Sequence, residues 1–115
     1  MSKGDLPGAF EQLILLALAR LGSDAYGMTV RQEIESRTGR SISLGAVYVT
    51  LDRLEQKGYI SSHSGAPTPE RQGRARRFFR LESPGRLALA QALDAVDRMR
   101  ADTPHAVRPA PETSG

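Results

Sequence analysis

The sequence predicts a mainly α-helical chain carrying one small β-hairpin. Three observations lead there. Apolar residues recur at three- and four-residue spacing in three segments between residues 8 and 57. Two short runs of strand-forming residues follow, separated by a segment containing Pro67, Pro69 and Gly73. A Ser83-Pro84 pair then opens a final stretch with helical spacing.

In the first segment, Phe10, Leu13, Ile14, Ala17, Leu18 and Leu21 stack on one helical face, and Leu15 and Leu16 broaden it. A face this wide predicts burial on two sides, against the domain itself and against a second subunit. Gly22 is expected to end the helix in the left-handed conformation. Ser23 or Asp24 then caps a second helix through Tyr26, Val30 and Ile34, which stops at Gly39. Ser43 caps a third helix running to Lys57, with Gly58 at its end. Along it Leu44, Val47, Tyr48, Leu51 and Leu54 fall on one face, and Ala46, Val49, Thr50, Arg53 and Lys57 are assigned to the opposite one.

After Gly58 the period changes from helical to alternating. Tyr59 to His63 reads as a strand and Arg76 to Leu81 as its partner, with Phe79 and Leu81 on one side and Phe78 and Arg80 on the other. Gly65 to Ala75 is a loop rather than a tight turn. Ser83 caps the last helix, which ends near Arg100 and carries a stripe of Leu89, Leu93 and Val96 with Met99 or Leu87. The tail from Asp102 has three prolines and only Val107 with apolar bulk, so it is expected to be disordered.

Composition removes several classes of function. In 115 residues there is no Cys and there are two His, which excludes disulfide frameworks, thiol nucleophiles and His-based metal clusters, and no cofactor is expected. The run Leu13 to Ala19 imitates a signal-peptide core. It lacks a positive leader, because Lys3 is outweighed by Asp5 and Glu11, and it is far shorter than a membrane span. A cytoplasmic protein with no membrane partner is expected. Ser61, Ser62 and His63 do not suggest a hydrolase, since neighbours on a strand alternate faces and no acidic orienter accompanies them. No enzymatic activity is expected.

Three helices followed by a hairpin, with a turn from Gly39 to Ile42 before a two-faced helix, is the order of a winged helix-turn-helix. A helix presented this way fits the major groove of B-DNA, about 12 Å wide, while the hairpin reaches flanking backbone or minor groove. The stretch Ala25-Tyr26-Gly27, the run SLGAVYVTLDRLEQKGYI from Ser43 to Ile60 and GRARRFFRLESPGR from Gly73 to Arg86 resemble the PadR family of bacterial transcriptional repressors. The resemblance covers roughly residues 8 to 100. It implies a dimeric repressor on a palindromic operator, using the C-terminal helix, with help from the first, for dimerisation. It also implies, for some members, release by phenolic or drug-like molecules, hence a small aromatic effector. The single C-terminal helix is similar to the short subfamily, which disfavours a spacious effector pocket, and no Trp is present to stack on a flat drug. Any effector pocket is expected between subunits, lined by the first and last helices.

The expected organisation is thus a winged helix-turn-helix over residues 6–82, a C-terminal dimerisation helix over 83–101 and a disordered tail over 102–115. Formal charge is only +3, from 16 Lys and Arg against 13 Asp and Glu, so the placement of charge matters more than its total. Arg71, Arg74, Arg76, Arg77 and Arg80 share a stretch without an acidic residue, and the first four are assigned to phosphate or minor-groove anchoring. The third helix is electrically balanced, which suits readout and fit. There Ser43, Gly45 and Ala46 allow close approach, Val49 or Thr50 meets a thymine methyl, Arg53 meets guanine or phosphate, Tyr48 combines core packing with a phosphate contact, and Lys57 meets backbone. Tyr26, near the second helix's start, is assigned to phosphate. The dimer seam is assigned to Phe10, Leu13, Leu16, Leu89, Leu93, Val96 and Met99. The expected function is sequence-specific transcriptional regulation on double-stranded DNA, as a repressor of a promoter, its own included. The alternative is a winged-helix module that binds protein instead of DNA.

Overall fold

A computed structural model describes residues 6–65 and 76–104 of the chain. Helix α1 (Ala9–Leu21) leads through a 3-10 turn (Gly22–Asp24) to α2 (Gly27–Thr38) and α3 (Leu44–Gln56). Strands β1 (Ile60–Ser64) and β2 (Arg77–Leu81) pair antiparallel, Ile60 opposite Leu81 and Ser64 opposite Arg77, and α4 (Ser83–Arg100) follows. The fold is a mainly α winged helix-turn-helix with an appended C-terminal helix. Arg71 and Arg74, and the tail beyond Pro104, lie outside the described residues.

The core forms where the apolar stripes of the first three helices meet the inner face of the hairpin. Ile14, Leu15, Val30, Val47, Leu51, Leu54 and Phe79 are all fully buried there. Alternation along β2 sends Phe79 and Leu81 inward and leaves Arg80 exposed. Gly58, with φ 79°, turns the chain out of α3, and the Tyr59 N–H donates to Leu54 O at 3.0 Å, which directs the backbone into β1.

Several element boundaries differ from the sequence expectation. Ser23 and Asp24 do not cap α2; they form the 3-10 turn, and Tyr26 occupies the cap position. The cause is long-range. Residues Ala25 and Tyr26 are held extended against β2, where Tyr26 bridges to Phe78 and the Phe79 N–H donates to Ala25 O at 2.8 Å. Thr29 then closes the first turn of α2, its Oγ1 accepting from the Tyr26 N–H at 3.0 Å. Gly22 has φ 59° but ψ −123°, outside the left-handed helical region expected of it. Strand β1 begins at Ile60 and not Tyr59, and β2 at Arg77 and not Arg76. Glu82, not Ser83, sits at the cap of α4, its carboxylate accepting from the Ser61 hydroxyl across the hairpin.

One polar link crosses the core edge. Glu11 is buried near the start of α1, where its Oε1 accepts from the Gly8 N–H at 3.0 Å. Its Oε2 lies 3.1 Å from Lys57 Nζ and 4.0 Å from Arg53 Nη1, at the far end of α3. A buried carboxylate needs such partners, since desolvation of an unpaired charge costs several kcal/mol.

Helix α4 divides its stripe. Ala88, Leu89 and Ala92 are buried against the domain, whereas Leu87, Leu93, Val96 and Met99 remain exposed. Phe10, Leu13 and Leu16 on α1 are only partly buried. Gly85 lies tight beneath the chain that leaves α3: a methyl there falls 2.2 Å from Tyr59 O.

Candidate nucleic-acid interface

The outward corner of α3 is built by its cap. Ser43 Oγ accepts from the Ala46 N–H at 3.1 Å, which starts the helix and leaves Gly45 and Ala46 exposed as its leading surface. Val49, 58% exposed, and Arg53 continue that surface one turn and two turns on.

Two residues assigned to this surface do not belong to it. Thr50 is buried, only 5% exposed. At 100° per residue it stands three positions from Val47 and four from Leu54, so it borders the core face, and its assignment to a thymine methyl is withdrawn. Lys57 turns back toward α1. Its ammonium is committed to Glu11, at the end of α3 remote from Ser43.

Tyr48 reaches the start of α2, where Tyr26 is the cap residue. The Tyr48 ring lies directly against Gly27, where an added Cβ falls 2.3 Å from its hydroxyl oxygen. Gly27 is the functional residue that sequence reasoning passed over. Its signal was the Ala25-Tyr26-Gly27 stretch, since a glycine opening a helix marks a close approach. We expect Gly27→Ala to push the half-exposed Tyr48 ring outward, at a stability change under about 1 kcal/mol because that ring can swing into solvent. DNA affinity should fall about tenfold, the loss of one charge-assisted contact, in an anisotropy titration paired with urea unfolding. Unchanged affinity would remove Tyr48 from the interface.

The wing arginines, alike in sequence, separate in space. Arg76 stacks over the Tyr26 ring at 4.1 Å, and that ring meets Phe78 edge-on at 5.5 Å between centroids. His63 stacks on the other side of Phe78 at 5.7 Å. Arg76 thereby holds a cation above the start of α2, where backbone N–H groups already favour anions. Arg77 is a correction. Its guanidinium pairs with Asp52 at 3.2 Å and with Glu55, and it lies over the Phe79 ring, so it fastens the hairpin to α3 instead of standing free for phosphate. Ser62 donates to Glu55 at 2.7 Å in the same cluster. Asp52 and Glu55, on α3, are the other half of this clamp.

Among the described residues no group of His, Cys, Asp and Glu is arranged to hold a metal ion, and no helix is long and apolar enough to cross a membrane.

A helix-turn-helix whose second helix presents small residues, one apolar contact and one arginine, flanked by a cationic hairpin, defines a winged-helix DNA-binding regulator of transcription. The chain belongs to the Transcriptional regulator PadR-like family, whose profile matches residues 14–91. It is similar to the transcriptional regulator Rv3488 of Mycobacterium tuberculosis, with 35% identity over 77 residues, 67% of each chain. Among solved structures it resembles a transcriptional regulator from Clostridium thermocellum, with TM-score 0.67, 25% identity and coverage of 78% of this chain and 84% of that one. A PadR-like transcription factor from Bacteroides fragilis shares the fold, with TM-score 0.70, 22% identity and coverage of 82% and 85%.

Proposed function

We propose that the protein acts as a homodimeric repressor on a palindromic operator, in the promoter of its own gene among others. The observation that carries this reading is the division of α4, whose Leu93, Val96 and Met99 stay exposed after its own core is filled. A second copy related by a two-fold axis covers that stripe and the partly buried Leu13 and Leu16 of α1. The same axis sets two copies of α3 one DNA turn, about 34 Å, apart, which is the spacing of an inverted repeat. Gly45, Ala46, Val49 and Arg53 then read base edges in the major groove. Tyr26, Tyr48 and Arg76 hold the flanking phosphates, joined by Arg71 and Arg74. Release by a small aromatic effector seated between subunits belongs to the same reading.

The test is fluorescence anisotropy against duplex DNA from upstream of the protein's own gene, beside a scrambled duplex, over a salt series. A preference of at least about 10³ for the native fragment supports an autoregulating, sequence-specific regulator. Equal, steeply salt-dependent binding to both sends the search to neighbouring promoters. Absence of binding to either at low salt turns the reading toward a winged-helix module that docks on protein.

A further inference from the structure

We infer that Glu55, with Asp52, is a specificity-determining positioning residue. Through Arg77 it fixes the hairpin against α3, so that base reading and the wing's phosphate contacts are met together only on the correct duplex. The inference rests on the DNA-binding reading above and adds to it a part that touches no nucleic acid.

One carboxylate ties both strands to the helix. Glu55 Oε1 accepts from Arg77 Nη2 on β2, and its Oε2 accepts from the Ser62 hydroxyl on β1 at 2.7 Å. Arg77 Nη1 donates to Asp52 at 3.2 Å, one turn earlier on α3. The guanidinium is thus held at two nitrogens and lies 4.8 Å from the centre of the Phe79 ring, which leaves it one orientation. Register explains why these groups converge. Ser64 stands opposite Arg77 and Ser62 opposite Phe79, so Ser62, Arg77 and the buried Phe79 share the face of the hairpin turned to α3. Arg76 falls by parity on the other face and stacks on Tyr26.

Position gives the clamp its role. Arg77 is the first residue of β2 and Ser64 the last of β1, so the clamp sits where the chain leaves for the segment whose sequence carries Arg71 and Arg74. On α3, Asp52 follows Val49 by three residues and precedes Arg53, which sets it on the strip of helix surface beside the reading residues. A carboxylate there repels DNA phosphates unless a cation neutralises it, and Arg77 does so. Contacts made by two different elements are satisfied at once only when the elements are held in fixed relation, and a looseness of about 1 Å is enough to lose that. Arg77 and Asp52 are half-exposed, and exposed ion pairs contribute little to folding. The main effect of the cluster is therefore geometric, and its loss lowers discrimination while leaving the fold in place.

The test begins with selection of an operator from a random duplex pool by the full wild-type chain. A chain that enriches no sequence overturns the sequence-specific reading and this inference with it. Anisotropy on the selected operator and on a scrambled duplex, over a salt series, then compares Arg77→Met with the exchanged pair Glu55→Arg and Arg77→Glu. The exchange keeps the net charge and sets opposite charges across the same gap. Arg77→Met is expected to lower the operator-to-scrambled ratio at least about tenfold, the worth of one base pair. Its urea midpoint and its salt slope on scrambled DNA should match the wild type. The exchanged pair is expected to recover the ratio to within a factor of about three. An unchanged ratio in Arg77→Met overturns the inference and leaves the DNA-binding reading standing. So does an exchanged pair as indiscriminate as Arg77→Met. A salt slope lower by about one unit in Arg77→Met assigns Arg77 to a phosphate and also overturns it.

Discussion

Leu93→Glu is expected to yield a folded monomer whose operator affinity is lower by a factor of about 10² to 10⁴. Leu93 is 37% exposed in the single subunit, so a carboxylate there reaches water and leaves the domain intact. Across a two-fold seam the same carboxylate meets the apolar stripe of a second copy, where an unpaired buried charge costs several kcal/mol. Two linked readers gain their affinity from the second, effectively intramolecular binding step, and separating them forfeits that factor of about 10² to 10⁴. Light scattering coupled to gel filtration reads the mass, circular dichroism the helix content, and anisotropy the affinity. A dimer that persists with unchanged binding would place the seam elsewhere.

The second large effect is on stability. Gly85→Ala is expected to cost about 2–3 kcal/mol, within the range of overpacking at a rigid site, and to lower the urea midpoint accordingly. Glycine to alanine inside a helix ordinarily gains up to about 1 kcal/mol. Here the sign reverses, because the new methyl falls 2.2 Å from Tyr59 O and 3.0 Å from Leu81 Cδ1. That carbonyl cannot retreat freely, since it accepts from the Glu82 N–H at 3.0 Å. Gly27 offers the opposite case, where the obstructing group is the end of a movable side chain. A stability gain at Gly85 would show that α4 can slide on the hairpin without penalty.

These contrasts mark what was readable from one sequence. Period and capping carry local information, so the broad stripe of α1, the Ser43 cap and the in-out alternation of Phe79, Arg80 and Leu81 could be read directly. Contacts between distant positions leave no such trace. Tyr26 is extended because it pairs with Phe78, and nothing near Ser23 or Asp24 announces that partner. Arg77 looks identical to Arg76 until Asp52 and Glu55 arrive from α3, although strand parity alone separates it from Arg80. Thr50 failed for a different reason. It sits at the border of a helical stripe, where a single hydroxyl does not say which side it joins, and Val47 and Leu54 on either side decide the matter by burial.

The bond between Glu11 and Lys57 joins residues 46 positions apart in the chain. Its consequence is mechanical. Glu11 stands on the first turn of α1, and Lys57 closes the last turn of α3, so the two helices are riveted at one end as well as packed along their length. The ion pair thus adds a polar tie between two helices packed through apolar side chains, at the end of α3 remote from the Ser43 cap.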